Sequence, residues 1–333
     1  MQLGLVQADR RGPGNPSVNA TEDRSPHETT AASSVADRVR SALVTPLHQV
    51  EDALIGDALR VQQVMLEDRL ENPQAFNSSD SKELLSPLLY MEEQTRPFVE
   101  AVAAMLRYDE SGALDGAILR AFDVIAEEPT LSGRHWEHAQ RLRLYPLVLA
   151  LFSLAHASVG RNDGRLLRRV LDLPLRIEDS RESVPLIWCV RAISSAGSLF
   201  NGAMGQRYYA PVAERISQIV PAWCADSVPG RRGQDVFLCA EFALALEHTR
   251  LPTFHGVGIP SGGTFAYHGE AQRILERLLR GQPKLLKDLF GEEVEKRLAD
   301  FDANARRTVE GGFRRGFIDG AVAAWLGQSS PKS

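Results

Sequence analysis

Cysteine and lysine are scarce in this chain, and the two signs of charge nearly balance. Three cysteines among 333 residues cannot build a disulfide framework, and their odd number favours a reducing compartment. The 38 basic residues are opposed by 43 acidic residues, which gives a net charge of −5. This charge excludes a phosphate-neutralising polycation and a strongly acidic disordered chain. Only 5 of the basic residues are lysines, a bias typical of a GC-rich bacterial genome.

Targeting signals and membrane segments are also missing from the sequence. The first 34 residues lack the charged region, apolar stretch and small-residue cleavage site of a secretory signal. The longest uncharged run, Leu144–Gly160, has 17 residues and contains Pro146 and His156. It is therefore predicted to be a buried core helix rather than a bilayer span. We expect a cytoplasmic protein that does not enter a membrane.

Composition divides the chain into a tail, a long helix and a helical domain. Residues 1–34 contain too few apolar side chains to offset the entropy of ordering, and they predict a disordered tail. An amphipathic helix is predicted over 35–72. A helical domain is predicted over 73–333, with a sub-boundary near 172–183.

The amphipathic helix carries one apolar stripe with steps of three and four residues. The stripe comprises Val35, Val39, Leu43, Leu47, Val50, Leu54, Ala58, Val61 and Met65. Pro46 either kinks the helix or, as we prefer, occupies its first turn after a Thr45 N-cap. The stripe can pack on the core of its own chain or against a partner, so Leu47, Val50, Leu54, Val61 and Met65 are candidate interaction residues.

Helical patterns follow one another through the rest of the chain, and strand patterns are poor. The predicted helices are 81–91, 96–107, 113–127, 132–143, 146–159, 163–171, 184–200, 211–226, 234–250, 268–280, 283–289 and 291–325. First-turn prolines are expected at Pro97, Pro146, Pro185, Pro211 and Pro283, and C-terminal caps at Gly160 and Gly281. A short hairpin is allowed only within 252–267. The predicted fold class is all-α, either an irregular multi-helix bundle or a degenerate helical-repeat array.

The strongest candidate for chemistry is the glycine-rich loop 251–269. Its glycines would let backbone N–H groups approach an anion, and His255, Ser261 and His268 are candidate catalytic groups. The loop matches neither a P-loop, a dinucleotide-binding fingerprint nor a nucleophile elbow. A structural excursion, a partner contact and a ligand-binding or catalytic loop remain alternatives.

Metal-site and thiol signals are weak. His135 and His138 would share a helix face, but no third or fourth ligand accompanies them, so a metal site is not expected. No Cys-x-x-Cys pair occurs, and Cys189 and Cys239 have apolar neighbours typical of buried small hydrophobes. We expect no cofactor.

Basic side chains cluster in one short segment. The cluster comprises Arg161, Arg165, Arg168 and Arg169. Arginine suits phosphate, yet no nucleic-acid-binding motif or interleaved aromatic residue accompanies the cluster. A solvated helix face and a nucleic-acid backbone contact are both compatible with it.

The last predicted helix has small residues at every fourth position. Gly312, Gly316, Gly320 and Ala324 form one stripe, although each helical glycine costs about 1 kcal/mol relative to alanine. Such a stripe is typical of close approach by another backbone. That backbone could belong to an internal helix or to a second subunit.

One segment near the middle of the chain combines four local features. They are Arg141–Pro146, the apolar helix through His156, the turn Gly160–Asp163, and Leu166 with Leu167. Together they resemble a helical segment found in large bacterial defence and conflict proteins. In that pattern a Tyr-Pro pair opens a buried helix and a Gly-Arg-x-Asp turn leads to the next. The resemblance covers about 35 residues and holds no catalytic motif, so it implies a stand-alone sensor, adaptor or effector-partner.

These observations favour a non-catalytic helical protein that acts through a protein partner or by self-association. An enzyme or small-ligand-binding protein using loop 251–269 is one alternative. A nucleic-acid backbone binder using the arginine cluster is another.

Overall fold

The computed structural model describes residues 47–66, 85–127, 141–176, 183–194, 196–205, 208, 210–225, 228, 233–251 and 271–301. Helices account for 81% of them, and the strands form a single two-stranded sheet, which confirms the all-α fold class. The predicted tail 1–34 lies outside these ranges.

The helices and strands follow one another with short connections wherever a connection is described. They are α1 Leu47–Leu66, α2 Leu85–Tyr108, α3 Asp115–Ala126, α4 Tyr145–Arg161, α5 Arg165–Leu171, β1 Pro174–Arg176, β2 Ser183–Pro185, α6 Trp188–Ser194, α7 Gly197–Met204, α8 Pro211–Trp223, α9 Gly233–His248, α10 Ala271–Gly281 and α11 Pro283–Phe290. Residues 294–301 are also helical.

Helix α4 forms the centre of the fold. Every side chain from Tyr145 to Val159 is buried, as expected for a helix that is apolar on all sides. Helices α1, α2, α8 and α9 pack around it, and Pro146 occupies its first turn as predicted. Among the described helices, none combines the length and apolarity that crossing a membrane requires.

The predicted apolar stripe of α1 lies inside the chain's own core. Val50, Leu54, Val61 and Met65 are at most 1% exposed, and α1 packs against α2 and α3. Of the two alternatives for this stripe, packing on the chain's own core is the one observed, and these side chains do not form a partner surface because the other helices of the chain cover them. The flanking parts of the predicted helix, 35–46 and 67–72, lie outside the described residues.

Helix α2 is continuous where the sequence predicts two helices with Pro97 at the start of the second. Proline in a helix interior lacks the N–H that would bond to the preceding turn. Phe98 and Val99, directly after it, are fully buried and α2 packs closely along α4. Apolar burial therefore outweighs the missing hydrogen bond and keeps the helix continuous.

The described hairpin departs from the sequence prediction, because it lies at 174–185, where no strands were expected. The segment 252–267, where a hairpin was allowed, lies outside the described residues. Pro174 pairs with Pro185 at its base, and Leu175 is fully buried. Both strands of this two-stranded sheet are edge strands. Proline is tolerated in an edge strand because its missing N–H can lie on the side that has no neighbouring strand. The predicted helix 184–200 is thus replaced by β2, α6 and α7, while the predicted sub-boundary near 172–183 coincides with the hairpin.

Candidate functional site

The arginine cluster is the predicted polar site that the structure describes. His135, His138, His255, Ser261 and His268 lie outside the described residues, as do Gly312, Gly316 and Gly320. Leu47 begins α1, but its side chain is not described. The site therefore has to be built from the cluster at Arg161–Arg169 and the elements around it.

A turn between α4 and α5 positions the cluster. Helix α4 ends at Asn162, whose left-handed backbone (φ 54°) suits asparagine better than most side chains. The predicted cap, Gly160, instead lies within the helix. The Oδ1 atom of Asn162 accepts a hydrogen bond of 3.0 Å from the backbone N–H of Leu285, in the first turn of α11. The turn therefore supplies a partner to an amide that the helix itself leaves unsatisfied.

Gly164 brings the same turn into backbone contact with α11. Its N–H donates a hydrogen bond of 3.0 Å to the carboxylate of Asp288. A Cβ atom at this position would lie 2.8 Å from the carbonyl oxygen of Leu285. The close approach therefore requires glycine. We call the contacts of residues 162–164 with α11 the turn–α11 joint.

Asp163 binds two cations beside the joint. Arg165 donates to its carboxylate through Nε at 3.2 Å and through a terminal nitrogen at 2.9 Å, and Lys284 of α11 forms a further ion pair. Burial would raise the pKa of Asp163, but the hydrogen bonds from Arg165 and Lys284 outweigh burial and hold it well below its usual range. Arg165 is thus already engaged by a carboxylate.

Arg168 donates hydrogen bonds to three different residues. Its guanidinium donates to Asp172 at 2.8 Å, to Glu247 at 2.9 Å and to the backbone carbonyl of Leu289 at 2.8 Å. Arg250 binds Glu247 at 3.1 Å and lies 2.6 Å from Asp172. The four ionisable side chains form a closed ring, which we call the Arg168 ring. It ties α5 to the end of α9 and to α11.

Glu247 is the buried member of the Arg168 ring. Its side chain is 1% exposed. Burial raises the pKa of Glu247, although the charges of Arg168 and Arg250 oppose that effect. Removal of either arginine would leave the buried Glu247 carboxylate with too little positive charge beside it, which would destabilise the fold. The ring therefore has a structural role.

The remaining two arginines of the cluster lie at its edges. Arg169 is exposed, and Arg161 lines a small cleft with Asp115, Asp163 and Arg165. Burial raises the pKa of Asp115, while Arg161 acts in the opposite direction. The enclosed space in the cleft is about 10 Å³, barely enough to hold one water molecule.

A second buried ionic cluster escaped the sequence analysis. Glu92 of α2 accepts hydrogen bonds from the Tyr145 hydroxyl at 2.9 Å and from Arg215 of α8 at 2.8 and 2.6 Å. Burial and the charge of Glu92 raise the pKa of Tyr145 well above its usual value. The partners are 53 and 123 residues apart, so no local motif could have revealed this triad. It joins three helices at the centre of the fold.

Two histidines are also buried in the fold. His156 of α4 is completely inaccessible, and within the described residues neither ring nitrogen has a hydrogen-bond partner. Burial lowers its pKa to about 4. At the end of α9, burial and the charge of Arg191 lower the pKa of His248 to about 3. Both rings are therefore neutral near pH 7.

None of the three cysteines forms a disulfide and all three are buried, which confirms the prediction for Cys189 and Cys239. Burial raises the pKa of Cys224 to about 12 and that of Cys189 further, so neither is a thiolate at neutral pH. Within the ranges that the structure describes, no group of three or more His, Cys, Asp or Glu side chains is arranged to hold a metal.

Exposed apolar side chains concentrate on α1 and α2, which pack against each other. Leu59 and Leu66 are 51% and 39% exposed, and their spacing of seven places them on one face of α1. Leu85 and Leu89 are 36% and 46% exposed and share a face of α2. We call these four residues the leucine faces.

Comparison with known proteins leaves the family of this chain open. No protein-family model, no curated protein and no solved structure gives a significant match. In the segment on which the resemblance to defence proteins rests, Tyr145–Pro146 opens the buried helix α4, Gly160 and Arg161 are its last residues, and residues 162–164 lead into α5. The resemblance itself stays a prediction.

Proposed function

We propose that this chain is a non-catalytic helical protein that acts by binding a protein partner through the leucine faces of α1 and α2. The observation that carries the proposal is the exposure of four leucines, Leu59, Leu66, Leu85 and Leu89, on two helices that pack against each other. Among the described residues, Tyr108 on α2 is the other large apolar side chain with comparable exposure. Clustered exposed apolar side chains are a feature of partner-binding surfaces.

The polar clusters support this proposal because their charged side chains form ion pairs with one another. Arg165 and Arg168 are bound to carboxylates, so a phosphate would compete with existing ion pairs for these guanidinium groups. The acidic side chains around the cluster, Asp163, Asp172 and Glu247, also repel a nucleic-acid backbone. The proposal therefore favours a protein partner over nucleic acid.

The finer part of the proposal concerns the setting. The defence-like segment is compatible with an adaptor, sensor or effector-partner in a bacterial defence system, acting in the cytoplasm. The buried, protonated thiols fit a reducing compartment.

The test compares three forms of the full chain as baits in the native host. They are the wild type, the double variant Leu59→Glu/Leu89→Glu and the control Tyr108→Glu. Tyr108 is 46% exposed at the other end of α2, about 28 Å along the helix from Leu89, so it matches the exposure but not the location.

Quantitative mass spectrometry of the captured proteins should show a partner that the wild type and Tyr108→Glu retain at equal levels. The double variant should lose that partner at least tenfold while keeping the melting temperature of the wild type. Equal capture by all three baits, or co-purification of nucleic acid without an enriched protein, would overturn the proposal.

A further inference from the structure

We draw no further inference here: the strongest candidate, the outward surface formed by the leucine faces of α1 and α2, carries nothing beyond the proposed function because nothing in the structure shows what covers it.

Discussion

Gly164→Ala tests the claim that the turn–α11 joint depends on backbone contact. The added methyl group would lie 2.8 Å from the Leu285 carbonyl oxygen, 3.0 Å from Cγ of Leu289 and 3.1 Å from Cβ of Asp288. The nearest of these atoms belongs to backbone and cannot rotate away as a flexible side chain would. The backbone of Gly164 (φ −104°) is accessible to alanine, so the contact alone opposes the substitution.

The expected magnitude follows from two opposing effects. An unobstructed Gly→Ala change stabilises a protein by about 0.4–1 kcal/mol, because the unfolded chain loses conformational freedom. Overpacking a tight contact costs about 1–3 kcal/mol. Displacement of α11 would also weaken the hydrogen bonds of Gly164 with Asp288 and of Asn162 with Leu285, each contributing about 1 kcal/mol. We expect a net loss of about 1–3 kcal/mol in the free energy of unfolding.

Gly56→Ala is the matched control. Gly56 is exposed within α1, and a Cβ atom there would meet no atom within 4 Å. We expect it to raise the free energy of unfolding by up to about 1 kcal/mol through helix propensity.

Urea unfolding followed by circular dichroism measures both variants. Hydrogen exchange at the amide of Leu285 adds a local measurement, and it should accelerate in Gly164→Ala alone. If Gly164→Ala proves as stable as the wild type while Gly56→Ala behaves as expected, then the inferred close contact between Gly164 and the backbone of α11 does not exist.

Three further predictions concern the core and the C-terminal stripe. Because burial lowers the pKa of His156 to about 4, the unfolded chain binds a proton that the folded chain does not as the pH falls from 6.5 to 4. Protonation of His156 in the unfolded chain should therefore lower the free energy of unfolding by up to about 3 kcal/mol across that window. The variant His156→Leu should show a flatter dependence of stability on pH. Identical pH profiles for the wild type and the variant would contradict this prediction. In urea unfolding, Tyr145→Phe should lower the free energy of unfolding by about 1–2 kcal/mol and Arg215→Leu by about 3–5 kcal/mol. The second loss is larger because only Arg215→Leu leaves Glu92 buried without a cation. Equal losses for the two variants would refute this ranking. Gly316→Leu should disrupt folding or assembly if another backbone packs on the glycine stripe. An unchanged melting temperature together with an unchanged mass in solution would show that no backbone packs there.

Helix positions were predictable wherever one local pattern dominated. The continuous apolar run at 144–160 predicts a buried helix, and α4 is that helix. First-turn prolines marked the starts of α4, α8 and α11, because proline there loses no hydrogen bond. Apolar spacing placed Val50, Leu54, Val61 and Met65 on one face but left open whether that face met the chain or a partner.

Predictions failed where contact with another segment decided the outcome. Pro97 was predicted to begin a helix, but packing against α4, far along the chain, keeps α2 continuous through this residue. Pro185 was also predicted to begin a helix, and it instead pairs with Pro174 in the hairpin. In each case a weak local preference was outweighed by packing or strand pairing that the local pattern does not record.

The candidate site shows the same division. By itself the sequence determined that four arginines lie close together, because the short stretch of chain from Arg161 to Arg169 cannot separate them far, whatever the fold. Only the tertiary structure decided what they do, since Glu247 and the Leu289 carbonyl reach Arg168 from 79 and 121 residues away. The sequence likewise determined an all-α protein, because apolar periodicity and proline placement act locally. Which side chains remain exposed, and so which surface is open to a partner, depends on how the helices pack, and only the packed structure sets apart Leu59 and Leu89 from the buried leucines beside them.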